Sequence, residues 1–105
     1  MVKILTLIVS GEEEKIRTAL TFSKRQSEAG HEIRVLLFGP SEKTVASNEK
    51  LESEFRSMGA IRPKACVFVA KNAGVDDKLS QSFELLPAGQ YITKSIEEGY
   101  STVSF

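Results

Sequence analysis

Near the start of the chain, Val2–Val9 reads VKILTLIV, a run that is apolar at almost every position. Such a short run is typical of a central strand in a parallel sheet, because helices cover both faces of that strand. Ser10-Gly11 ends the run, and Glu12–Ala29 then has helical spacing. One face of this predicted helix is formed by Ile16, Ala19, Leu20 and Ser23. We therefore predict a strand and a crossover helix that stops at Gly30.

The alternation of apolar strands and helices continues along the rest of the chain. The further predicted strands are Ile33–Phe38, Ile61–Cys66, Glu84–Pro87 and Ser101–Phe105. The further predicted helices are one carrying Leu51, Phe55 and Met58, a short turn or helix within Val75–Phe83, and Gln90–Glu98 with Tyr91, Ile92, Ser95 and Ile96 inward. Ser41–Asn48 is a polar stretch. This order predicts one α/β domain over residues 1–105, with a mostly parallel five-stranded sheet and right-handed crossovers.

The composition of the chain argues against nucleic-acid binding and membrane association. Lys and Arg together number 14, as do Asp and Glu, so the formal net charge is zero. A neutral chain offers no electrostatic reason to expect binding to nucleic acid or to an acidic membrane surface. Met1–Val9 has a lysine and an apolar run, as a signal peptide would, but no small-residue cleavage site follows it. No apolar run approaches membrane-spanning length. We therefore expect a cytoplasmic protein without a membrane segment.

Motifs for common cofactors are absent from the sequence. Ser10-Gly11-Glu12-Glu13 follows the first strand with a single glycine, so it matches neither the dinucleotide fingerprint nor a Walker-type phosphate loop. The single histidine, His31, precedes the second strand, at the end of the sheet opposite to Cys66. One cysteine and one histidine at opposite ends do not make a metal site or a cysteine-histidine catalytic pair. We expect neither a cofactor nor a metal.

The expected place for a ligand is the carboxyl edge of the sheet, where strand order reverses. Three segments meet at that edge: Ser10-Gly11, Gly39-Pro40 and the residues after Ala65. If the first strand lies beside the third, as in a flavodoxin-like order, Cys66 faces the Ser10-Gly11 turn. A helix that starts at Cys66 would lower the pKa of its thiol, and Lys64 and Lys71 could add to that effect. The candidate ligand-binding residues are Ser10, Gly11, Gly39 and Lys71.

Cys66 is the only cysteine, so it cannot form an internal disulfide. It is an inert small hydrophobe, half of an intermolecular bridge, or a reactive thiol. Where the third strand ends affects which of these three roles Cys66 has. Pro63 interrupts that strand early, and the strand ends near Cys66 or continues to Ala70. If it continues, then Cys66, Phe68 and Ala70 share one buried face, and an inert core cysteine is favoured.

Three segments together resemble the DsrE/DsrF-like sulfur-relay family, which includes the small YchN-type proteins. The first runs from Thr21-Phe22-Ser23-Lys24 through Gly30-His31 to Phe38-Gly39-Pro40. The second is Met58-Gly59-Ala60 with Ala65-Cys66 and, eight positions after the cysteine, Gly74. The third runs from Leu85-Leu86-Pro87 through Tyr91-Ile92 to Gly99-Tyr100-Ser101. The resemblance covers nearly the whole chain, and the order and spacing of the segments carry it.

The resemblance implies a flavodoxin-like three-layer α/β sandwich and a homo-oligomer, as trimer, hexamer or dimer. It also implies that Cys66 accepts sulfur as a persulfide and passes it to a partner protein, as a sulfurtransferase-like carrier rather than a conventional enzyme. Persulfide transfer needs a thiolate, an open approach and a partner thiol, without a metal or a base.

Two other functions stay open. One is a non-catalytic homo-oligomeric assembly or small-ligand-binding module with a structural cysteine. The other is a phosphate or nucleotide binder at Ser10–Glu12, which the three glutamates Glu12–Glu14 disfavour because they would repel phosphate.

Overall fold

A computed structural model describes all residues from Met1 to Phe105. It contains five strands and six helices in an α/β arrangement. The strands are β1 (Lys3–Ile8), β2 (Glu32–Leu37), β3 (Lys64–Cys66), β4 (Glu84–Leu86) and β5 (Ser101–Ser104). The helices are α1 (Glu13–Glu28), α2 (Ser41–Ala46), α3 (Glu49–Arg56), α4 (Val67–Ala73), α5 (Asp76–Leu79) and α6 (Ala88–Glu97). The prediction of a flavodoxin-like α/β fold with a five-stranded sheet is confirmed.

All five strands are parallel, in the order β4-β3-β2-β1-β5. In β1, Thr6 lies opposite Val35 of β2 and Val103 of β5. The arrangement considered above, with the first strand beside the third, therefore does not occur, since β2 separates them. The crossovers from β1 to β4 each step to the neighbouring strand in the same direction. Only the last crossover, through α6, returns across the sheet to place β5 beside β1.

Right-handed crossovers that move along the sheet in one direction place their helices on the same face. A crossover in the opposite direction places its helix on the other face. The two apolar clusters follow this rule. The larger cluster joins one face to α1 through α5, with Val35, Leu37 and Ala65 from the strands. The smaller cluster joins the opposite face to α6, with Leu36 and Cys66 from the strands. The sheet thus has five helices on one side and α6 alone on the other.

Helix α1 is the element that the sequence predicts best. Its buried residues are the four predicted ones: Ile16, Ala19, Leu20 and Ser23. The Ser23 hydroxyl donates a 2.9 Å hydrogen bond to the hydroxyl of Thr6 in β1, and both side chains are fully buried. This bond links the helix to the central strand inside the larger cluster.

Three segments differ from the predictions. The polar stretch Ser41–Asn48 contains helix α2. Strand β3 begins only at Lys64, after Pro63, which has no N–H to offer to a neighbouring strand. In α6, Ile96 is 55% exposed rather than inward, because Tyr91, Ile92 and Ser95 form the side that meets the sheet. None of the six helices combines the length and apolar character needed to cross a membrane.

Candidate functional site

At the carboxyl ends of the neighbouring strands β3 and β4, the chain leaves the sheet toward opposite faces. After β3 the chain enters α4, which contacts α2 and adds Ala70 to the larger cluster. After β4 it enters α6 on the opposite face. Ligands of open parallel sheets bind in the crevice between strands whose connections diverge in this way. Cys66 lies at this point, directly opposite Leu86 of β4.

Cys66 is the last residue of β3 and the N-cap of α4. The strand stops here rather than continuing to Ala70, so the predicted buried face shared by Cys66, Phe68 and Ala70 does not form. Phe68 is 66% exposed, and Ala70 packs on the opposite side of the sheet. Even so, the Cys66 side chain is only 3% exposed. It packs in the smaller cluster with Leu5, Leu36 and Ala88.

A buried carboxyl group lies next to the Cys66 backbone. Glu42, the second residue of α2, is fully buried, and neither of its carboxylate oxygens has a hydrogen-bond partner. Burial raises the pKa of Glu42 to about 7. The backbone N–H groups of Cys66 and Gly39 face the Glu42 carboxyl and lower its pKa. Neither group makes a hydrogen bond of ordinary geometry to the carboxyl, so their effect is smaller than that of burial.

The position of Glu42 follows from the way that α2 is attached to β1. Just before Glu42, the Ser41 backbone N–H donates to the carbonyl of Val9, and the Ser41 hydroxyl donates to the carbonyl of Ile8. These two hydrogen bonds hold the first residues of α2 against the carboxyl edge of the sheet. Glu42 is not predicted from the sequence, because Ser41–Asn48 has the composition of a polar segment. A helical interpretation would have placed Glu42 on the same face as Val45, which is buried.

Ser10, Gly11 and Gly39 lie together at the ends of β1 and β2, where each takes part in packing between loops. The Ser10 hydroxyl accepts a 3.1 Å hydrogen bond from the backbone N–H of Glu12. A Cβ on Gly11 would lie 3.2 Å from both Pro40 and Thr44. Gly39 has φ +92°, and a Cβ there would lie 3.3 Å from Val9. Strand β2 stands between the Ser10-Gly11 turn and Cys66, so Cys66 does not face that turn.

Neither of the two lysines near Cys66 in sequence forms a hydrogen bond with its thiol. Lys71 is exposed in the last turn of α4, whereas Cys66 caps the first turn. Lys64, at the start of β3, forms a 2.8 Å ion pair with Glu84. His31 accepts a hydrogen bond from the Val2 backbone N–H at the amino end of the sheet, where it was predicted. No cluster of three or more His, Cys, Asp or Glu side chains could hold a metal ion.

No protein-family model matches the sequence, and no protein of curated function is similar to it. Among solved structures, the fold is similar to that of a conserved protein of unknown function from Bacteroides thetaiotaomicron, with a TM-score of 0.85 and 21% sequence identity. The alignment covers 98% of this chain and 95% of that one. At this identity the similarity establishes the fold and carries no function.

Proposed function

We propose that this protein is a sulfur carrier that holds sulfane sulfur on Cys66 in the reducing cytoplasm. The observation that carries the proposal is the position of Cys66, which caps α4 where the crossovers after β3 and β4 diverge. The first backbone N–H groups of α4 have no partners within the helix. The Cys66 side chain makes no cap hydrogen bond to them in this conformation. If the side chain turned toward them, they would stabilise a thiolate or the terminal sulfur of a persulfide.

The proposed step is a sulfur exchange without net oxidation. The Cys66 thiolate attacks the terminal sulfur of a donor persulfide, and a new S–S bond forms on Cys66. The S–S bond of the donor breaks, and its electron pair leaves with the donor as a thiolate. The thiolate of a partner protein then attacks this terminal sulfur, the S–S bond on Cys66 breaks, and Cys66 leaves as a thiolate. Because the thiol is 3% exposed, the crevice between α4 and Ala88 of α6 must open for each transfer.

A second candidate function is a non-catalytic assembly or small-ligand-binding module, and the burial of Cys66 among apolar side chains favours it. Apolar side chains also follow three neighbouring strands at the carboxyl edge. Val9, Phe38 and Phe68 are exposed at 38%, 37% and 66%. In this alternative, copies of the chain associate through that edge and the cysteine is structural.

Alkylation of Cys66 in the native protein separates the two candidates. The rate is measured against pH by intact mass, and no other thiol reacts because the chain has one cysteine. A sulfur carrier should react in the folded state, because sulfur transfer needs an accessible thiolate. Reaction only after unfolding would overturn the carrier and support a structural cysteine.

Sulfur loading provides the second measurement. The native protein should gain the mass of one sulfur from a persulfide donor, and Cys66→Ser should not. The matched control places a thiol on an exposed helix position, as Ser53→Cys in the Cys66→Ser background. If that surface thiol is loaded as fast as Cys66, the position of Cys66 has no special role and the proposal fails.

A further inference from the structure

A cleft of about 450 Å³ lies on the face of the sheet that α6 covers. It is bounded by α6, by the segment before β3, and by side chains of β2. Four cationic side chains line it: Arg34, Arg62, Lys64 and Lys94. Glu98 is the only carboxylate in the lining, and Tyr91 and Tyr100 form part of the wall. We call this site the Arg34 cleft.

We propose that the Arg34 cleft binds a small molecule that carries a doubly charged anionic group and an apolar body. Cys66 does not line the cleft, so this inference stands independently of sulfur transfer. The volume falls within the range of small-molecule sites. The cleft has unpaired positive charge, free hydrogen-bond donors and cations on inner strands of the sheet.

The charge of the cleft is not compensated by its own carboxylate. Arg34 pairs with Glu98 at 2.7 Å, and Lys64 pairs with Glu84 at 2.8 Å. Arg62 and Lys94 have no carboxylate within 4.0 Å. Two unpaired cations therefore remain in a chain whose positive and negative residues balance overall. An anion with two negative charges would match them, and its apolar body would lie against the tyrosine rings in the wall of the cleft.

Arg34 supplies donors that are already held in position. Its Nη1 donates to the Ser95 hydroxyl at 2.9 Å and meets Glu98, while the guanidinium lies 4.1 Å from the ring centroid of Tyr100. These contacts fix the plane of the guanidinium. Its Nε and Nη2 make no hydrogen bond of ordinary geometry within the protein, although the Tyr100 hydroxyl lies near the guanidinium. A fixed guanidinium with free N–H groups suits carboxylate or phosphate oxygens.

The cations occupy positions that are normally apolar. Arg34 lies in β2 and Lys64 in β3, both inner strands of a parallel sheet, on the same face as Leu36 and Cys66. Inner parallel strands are usually apolar on both faces. Two cations on this inner face, next to the one helix that covers it, indicate a built polar site rather than ordinary solvated surface.

The test is a calorimetric titration at low salt, because screening weakens such binding. Butyl phosphate and butylmalonate are the two dianionic probes, and butanol is the neutral control. Both tyrosines line the cleft and the chain has no tryptophan, so intrinsic fluorescence reports the location of binding. We expect at least one dianion to bind and to change tyrosine emission, and butanol not to bind. The tighter probe identifies phosphate or carboxylate as the anionic group.

Variants test whether the unpaired cations are responsible. Arg62→Gln with Lys94→Gln should weaken binding at least about tenfold, since hydrogen bonds between a cation and an anion are among the strongest in proteins. The matched control is Lys43→Gln with Lys50→Gln, which removes the same charge from exposed, unpaired lysines elsewhere. Binding of neither dianion at millimolar concentration would overturn the proposal. Equal weakening by the two double variants would do so too.

Discussion

The carboxyl group of Glu42 faces the backbone N–H of Cys66 at the carboxyl edge of the sheet. It is fully buried and lacks a hydrogen-bond partner of good geometry. A carboxylate in such a position is poorly solvated, which is why its pKa rises to about 7. The residue that ends β3 therefore lies beside a group whose charge changes near neutral pH.

We predict that the stability of the protein falls as the pH rises toward 7 because of Glu42. The pKa of Glu42 is raised from 4.5 in the unfolded chain to about 7 in the folded one. Below pH 4.5 both states hold the proton, and the stabilisation is complete; it is lost as the pH rises through 7. Glu42→Gln should remove this loss and be more stable than the native protein at pH 8, by about 3 kcal/mol.

Urea unfolding of the two proteins from pH 4 to pH 8 measures the effect. The control Glu28→Gln removes an exposed carboxylate that has no ion-pair partner and should keep the native pH profile. A constant difference between Glu42→Gln and the native protein over the whole range would show that the raised pKa of Glu42 is wrong.

Gly39→Ala should destabilise the fold by about 1–2 kcal/mol, because a non-glycine residue at positive φ is strained. The φ angle is +92°, and the new Cβ would press against Val9 at 3.3 Å. Thermal unfolding would check this. An unchanged midpoint would mean that the turn after β2 can adopt another conformation.

Gly89→Ala should have the opposite effect. Gly89 lies in the first turn of α6, and a Cβ there would have nothing within 4 Å. Replacing a helical glycine with alanine typically stabilises by about 0.4–1 kcal/mol. Urea unfolding should therefore show a higher midpoint, and a lower one would indicate an unseen steric or functional demand for glycine at this position.

The buried pair of Thr6 and Ser23 should show strong coupling. Ser23→Ala leaves the Thr6 hydroxyl without its 2.9 Å partner, which should destabilise the fold by about 1–3 kcal/mol. Adding Thr6→Val removes the unpaired hydroxyl, so the double variant should recover most of that loss. A double-mutant cycle measures the coupling, and simple additivity of the two single changes would contradict the prediction.

The fold class could be predicted because the spacing of apolar residues indicates which positions of each helix and strand are buried. The face of α1 at Ile16, Ala19 and Leu20 shows the 3.6-residue repeat clearly, and the structure confirms it. The strand order could not be predicted in the same way. An apolar run such as that of β2 indicates that both faces of the strand are covered. It does not indicate which strands pair with its two edges. The direction of each crossover is settled by tertiary packing.

The candidate site was predicted only in part. The strand end at Cys66 and the helix after it agree with one of the two boundaries considered, while the partner across the crevice is Leu86 rather than the Ser10-Gly11 turn. Glu42 was missed because a glutamate in a polar stretch is usually exposed. Its burial depends on hydrogen bonds from Ser41 to the end of β1, which are tertiary contacts.

The pairing of β1 with β5 has a consequence for synthesis of the chain. Ile4 lies opposite Ser101, so one edge of β1 finds its partner only after the chain has been made as far as Ser101. Until then, the backbone groups of an apolar strand can pair with another molecule, and such edges are aggregation hazards. A nascent chain stalled before Ser101 should therefore depend on a chaperone to remain unaggregated.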